Sequence, residues 1–96
     1  MKPSVALNSH RAAIRQVVAA HHALNPRVFG SVLHGEDSEA SDLDLLVDST
    51  PETTLLDLAA IQVELQRLLG TKVDVVTPKE LPESSRSQIL TESLPV

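Results

Sequence analysis

The sequence predicts one small layered domain of the α+β or α/β class, spanning residues 1–96. Three observations lead there. Helix-like and strand-like hydrophobic patterns alternate along the whole chain, no repeat, low-complexity stretch or linker interrupts it, and Leu45-Leu46-Val47 forms a continuous apolar run suited to a central, doubly covered strand. With 96 residues there is room for one modest core but not for a second module. A hydrophobic share of 42% beside 22% charged residues places the chain among globular proteins and excludes wholesale disorder.

From about Ser4 to Ala23, Ile14, Val17, Val18 and His21 recur at three- and four-residue spacing among alanines, which predicts a first helix. Asn8 or Ser9 could cap it if it starts late, and Asn25-Pro26 should stop it. Arg27-Val28-Phe29 reads as a short first strand ending at Gly30. Ser31 would cap a brief helical turn over Val32-Leu33-His34, closed by Gly35. Ser41 to Asp48 is the second strand. A second helix is expected from about Thr53 to Leu69, with a stripe of Leu58, Ile61, Leu65 and Leu68 flanked by Leu55 and Leu69, and Gly70 as its C-cap. Lys72 to Thr77 is a third strand bounded by Pro78. A last helix from Pro82, near its first position, to about Ser93 would make apolar contacts through Ile89, Leu90 and Leu94.

Composition excludes several functions. Phe29 is the only aromatic residue, so stacking platforms for single-stranded nucleic acid are missing, and a net charge of −5 argues against a large nucleic-acid surface. The absence of Cys excludes disulfides and thiolate metal sites. No signal peptide or membrane span is visible, and the chain is expected to be cytoplasmic.

The stretch from Val28 to Asp48 carries the chemistry. Residues two apart on a strand share a face, so Asp42 and Asp44 should project together, and paired carboxylates of that kind suit Mg²⁺. Gly30-Ser31, followed by a helical turn, offers backbone N–H groups to an anion, although taken alone it also reads as a plain tight turn. Asp74, within Val73-Asp74-Val75-Val76, could join the two carboxylates if its strand lies beside theirs, or could face solvent on an edge strand. Glu36, Asp37, Glu39 and Asp48 complete an acidic span without Lys or Arg, readable as a solvated loop or as a face for a basic partner. His21-His22 is a poor metal pair, because adjacent helical residues diverge by about 100°.

Gly30-Ser31, a gap of ten residues and then Asp42-Leu43-Asp44 resembles the signature of the DNA polymerase β superfamily of nucleotidyltransferases. The chain length, the run from Ser41 to Val47 and the later Val73-Asp74-Val75-Val76-Thr77 resemble the minimal nucleotidyltransferase (MNT) domains over nearly the whole chain. The resemblance implies a small mixed sheet backed by helices, with ATP and Mg²⁺ as cofactors. It implies Asp42 and Asp44 as metal ligands, Asp74 as the third carboxylate near the attacking group, and Gly30 and Ser31 as the contact to the phosphates. MNT proteins are commonly paired with HEPN-domain ribonuclease toxins as antitoxins, and members neutralise the toxin by transferring AMP from ATP to one of its tyrosines.

The residues agree with that chemistry, since in-line attack on a phosphorus needs metal ligands and no covalent intermediate. The chain has no Tyr, so a tyrosine acceptor must come from a partner. It departs from the family where many members carry Arg, at Val32 and His34. Losing fixed charge there weakens triphosphate binding, with His34 left as a possible donor to the nucleotide. Three readings follow: a Mg²⁺-dependent protein adenylyltransferase acting on a HEPN toxin, an inactive antitoxin that neutralises by binding, and the catalytic piece of a larger transferase.

Overall fold

The computed structural model describes residues 1–96. The elements in order are α1 (Pro3–Ser9), α2 (Arg11–Ala20), β1 (Ala23–Phe29), β2 (Leu43–Ser49), α3 (Leu55–Leu69), β3 (Val73–Val76), a 3₁₀ turn (Pro78–Glu80), α4 (Glu83–Glu92) and β4 (Leu94–Pro95). The four strands form one sheet in the order β3-β2-β1-β4. β1 is antiparallel to both of its neighbours and β3 is parallel to β2, so the sheet is mixed as the resemblance implies.

Alternation along β2 sends Leu43, Leu45 and Val47 into the main core. There they join Val28 of β1 and Val73 and Val75 of β3, together with Ala6 and Leu7 of α1, Ile14 and Val18 of α2, and Ile61, Leu65 and Leu69 of α3. With no second aromatic available, this core is built almost wholly from branched aliphatic side chains and alanine. Leu46, also fully buried, lies outside that cluster on the opposite face of the sheet.

The N-terminal helical segment is not continuous. It breaks at His10, whose backbone leaves the helical region and whose Nδ1 lies 3.0 Å from the Ala6 carbonyl oxygen. Asn8, Ser9 and His10 are weak helix formers whose side chains compete for the backbone, and neither Asn8 nor Ser9 caps α2. The helix also ends at Ala20, three residues early, because His22 turns the chain with φ 62°. β1 then begins at Ala23 and runs straight through Asn25-Pro26. The strand register shifts between Leu24 and Arg27, and proline, which has no N–H to give the ladder, is tolerated at that bulge.

α3 carries the predicted signals. Thr54 and Asp57 form a reciprocal capping box, and Gly70 closes the helix at φ 65°. The stripe is rotated, however. Leu69 is buried in place of Leu68, while Leu55 is 81% exposed. Gln62 and Gln66, one turn apart, accept the backbone N–H groups of Val75 and Val73, each at 3.2 Å. Those N–H groups lie on the open edge of β3, so α3 blunts an edge that could otherwise pair with another chain.

The C-terminal segment departs most from expectation. α4 has no buried residue, starts after Pro82 rather than on it, and ends at Glu92. Leu94 is not a helix contact. It lies in β4, paired with Val28 at the edge of the sheet, and remains exposed. No helix is long and apolar enough to cross a membrane.

Candidate active site

The carboxylates gather where β2 and β3 begin. Asp42 immediately precedes β2 and Asp44 is its second residue, and parallel pairing sets Asp74 of β3 in register with Asp44. Strand alternation puts all three on the face away from the main core. Asp74 lies on the edge strand and is exposed, and it is nevertheless drawn beside Asp44, so the two readings of that residue meet in one geometry.

Asp44 bears the electrostatic cost. Burial, then the charge of Asp74, then that of Asp42 push its carboxyl up from an ordinary 3.8 to about 6. No basic side chain neutralises it. Lys72 approaches Asp42 only at 3.9 Å through an exposed ammonium, and Arg27 is committed to Asp48 at 2.6 Å. Asp48, held also by Asn25, therefore belongs to a structural pair on β1 and β2.

Gly30 follows β1, whose last residue, Phe29, is opposite Asp44. Its φ of 76° suits glycine, but space matters more. A β-carbon at this position would overlap the Asp44 carboxylate, standing 3.2 Å from Cγ. The glycine is what lets the turn and the carboxylate touch. Past it, the chain closes a hydrogen-bonded turn, not a full helix: the His34 N–H donates to Gly30 O at 3.2 Å and the Glu36 N–H to Ser31 O at 2.9 Å. The backbone N–H groups of Ser31, Val32 and Leu33 make no hydrogen bond within the protein. The turn thus presents unpaired donors, as an anion-binding loop must.

Val32 packs into the core, so this position contributes an apolar anchor to the turn and no side-chain contact to a phosphate. His34 has its Nε2 3.2 Å from Glu92 Oε2 of α4, an intramolecular partner that a nucleotide would have to replace. His21 and His22 pair with Glu64 and Asp57 on α3, at 2.9 and 3.4 Å, and hold the end of α2 to that helix.

An all-oxygen donor set and mutually repelling carboxylates fit a hard divalent cation. No three carboxylate or imidazole groups close into a cage, however. Mg²⁺ rarely uses such cages, and binds through one or two carboxylates completed by substrate phosphates and water. The arrangement therefore suits an ion shared with a bound nucleotide. The face is reachable from solvent, for Asp74 is exposed and Asp42 and Asp44 are half-buried.

Comparison with known proteins decides the family. The nucleotidyltransferase domain model matches residues 15–96, which include the turn and all three carboxylates. The chain belongs to the nucleotidyltransferase domain family. It is similar to a protein of Methanocaldococcus jannaschii provisionally named a protein adenylyltransferase, with 32% identity over 94% of this chain and 97% of the relative. A solved structure described provisionally as a minimal nucleotidyltransferase superposes with a TM-score of 0.86 at 43% identity, covering 97% of this chain and 95% of the other. The fold also recurs in a toxin–antitoxin complex crystallised with AMP-PNP, at a TM-score of 0.73 and 19% identity over 88% of this chain and 69% of the other. The nucleotidyltransferase fold read from the sequence is borne out.

Contacts between distant segments were not legible in the sequence, among them the pairing of His34 with Glu92. Nothing in the string says that Gly30 must be small because of Asp44, since that contact joins two strands. The tether of Asp37 to α1 likewise crosses 33 residues.

Proposed function

We propose that this protein is a Mg²⁺-dependent nucleotidyltransferase antitoxin that moves AMP from ATP to a tyrosine hydroxyl of a HEPN-domain ribonuclease toxin. The observation that carries the proposal is the crowding of Asp42, Asp44 and Asp74 against a glycine turn with unpaired N–H groups. The M. jannaschii relative named for protein adenylylation and the toxin–antitoxin complex holding AMP-PNP support it.

In this reading Gly30 and Ser31 cradle the phosphates, and Asp42, Asp44 and Asp74 would hold Mg²⁺ with those phosphates completing its coordination. When bound, Mg²⁺ would stabilise charge on the attacking and leaving oxygens of an in-line displacement. The acceptor oxygen forms a bond to the α-phosphorus as the bond to pyrophosphate breaks. Asp74, exposed at the sheet edge, takes the proton of the incoming hydroxyl. The open carboxylate face suits an acceptor borne on another protein better than an enclosed small substrate. With no membrane-spanning helix and no Cys to oxidise, the chain fits a cytoplasmic setting.

A second reading, neutralisation by binding alone, is favoured by two observations: Val32 is spent on the core, and Glu92 holds His34. Co-expression with the partner separates the two. The enzymatic reading predicts that Asp42→Asn loses neutralisation while still folding. Undiminished protection by that variant would establish binding as the mechanism.

A further inference from the structure

The segment joining the Gly30–Ser31 turn to Asp42 borders both halves of the site, yet most of its hydrogen bonds are local. At its start the Glu36 N–H donates to Ser31 O. At its end the Ser41 N–H donates to Ser38 O at 3.0 Å and the Ser38 N–H to Ser41 Oγ at 2.9 Å. Between these turns one side chain grips the body of the protein. Asp37 Oδ2 accepts the backbone N–H of Ser4 at 2.9 Å, and from Glu36 to Ala40 Asp37 is the only residue that is not exposed. Val32 in the core and His34 on Glu92 hold the start of the segment, whereas beyond Glu36 the one further link, from Glu39 to the chain's amino group at 3.6 Å, joins two exposed groups.

Ser4 stands at the second position of α1, where an N–H has no acceptor within the helix. The residue at the cap, Lys2, supplies none, and Pro3 has no N–H to satisfy. Asp37 thus performs from across the fold the task usually given to a neighbouring Ser or Asp, and its negative charge suits the positive end of the helix. The Ser4 N–H in turn holds its carboxyl below the usual range, so Asp37 stays ionised as an acceptor at neutral pH. The anchor point is firm, because Pro3, Ala6 and Leu7 of α1 are buried.

We infer that Asp37 is a positioning residue for the nucleotide site: by capping α1 it pins the loop that leads from the phosphate-binding turn to Asp42, and so limits the freedom of the site's border where strand pairing does not reach. This rests on the nucleotide reading above. An unpinned loop must be ordered when ATP binds, so its loss costs affinity for ATP and leaves the chemical step alone.

The test compares the full chain with Asp37→Ala and with Asp37→Asn, which keeps an acceptor oxygen. Amide exchange without nucleotide, ATP affinity by calorimetry in Mg²⁺, and KM and kcat with the partner are read in parallel. For Asp37→Ala we expect faster exchange at Ser4 and across residues 31–42. ATP binding should weaken and KM rise by roughly fivefold or more, with kcat held within about twofold. Asp37→Asn should recover most of each loss. Unchanged exchange in Asp37→Ala overturns the anchor whatever happens to ATP. Faster exchange with unchanged ATP affinity, or a fall in kcat at constant KM, overturns the positioning role. A wild-type chain that binds no ATP overturns the nucleotide reading itself, which the exchange data alone would leave standing as an anchor without that purpose.

Discussion

The two faces of β2 are made of neighbouring residues and do opposite work. On one side Leu43, Leu45 and Val47 are wholly buried in the aliphatic core, and on the other Asp42 and Asp44 lie with Asp74 in mutual repulsion. A strand with one dense face has its register fixed, because a slip of one residue would turn Leu43, Leu45 and Val47 out of the core and bring Asp44 into it. The core face thus determines where the carboxylates stand. The same alternation explains why the carboxylate face can carry strain: the helix-covered side supplies the stability that offsets it.

That contrast can be broken from either side. Asp42→Asn should reduce nucleotidyl transfer by about a hundred- to a thousandfold, a loss of several kcal/mol of transition-state stabilisation, while circular dichroism stays native. Initial rates with labelled ATP measure it. Leu45→Ala, one residue beyond Asp44, should instead cost about 2–5 kcal/mol of stability in denaturant unfolding, with the folded fraction keeping its ATP affinity. Equal damage to both quantities in both variants would mean that the faces are not separable.

Gly30→Ala is the change that should couple them. It forces a β-carbon into a left-handed backbone position, costing about 1–2 kcal/mol, and drives it into the Asp44 carboxylate. Stability and transfer should fall together, as read by thermal unfolding and rate measurements on one preparation.

The smallest effect concerns pH. Folding raises the Asp44 carboxyl from 3.8 to about 6, so the folded protein without metal favours the protonated form. Its contribution is fully present below about pH 4, is lost as pH rises through about 6, and is flat above that. Asp44→Asn removes this penalty. Its Tm should exceed that of the unmodified protein by about 2–5 °C at pH 8 and match it near pH 3.5. A Tm gain that persists at pH 3.5 would assign the effect to packing and not to charge.

What the sequence made legible follows the range of the interactions. The capping of α3, its end at Gly70, the β2 apolar run and the Asp42–Asp44 pair are local, and each stands where its own neighbours place it. The strand through Asn25-Pro26 was hidden because a bulge excuses a proline that otherwise signals a stop. β4 was hidden because two residues carry no period, and only pairing with β1 makes Leu94-Pro95 a strand. In the site, the three carboxylates were readable from alternation and resemblance. The contact between Gly30 and Asp44, the pairing of His34 with Glu92 and the tether from Asp37 to Ser4 each join distant segments, and no local signal announces them.

The central claim is that the carboxylate face transfers AMP to a protein. Its most direct test is the intact mass of the proposed partner toxin after incubation with this protein, ATP and Mg²⁺. The account predicts a gain of about 329 Da for each AMP added, the increment of the covalent modification, and none with Asp42→Asn or Asp44→Asn. An unmodified toxin, silenced within a stable complex, would contradict it and leave binding as the function.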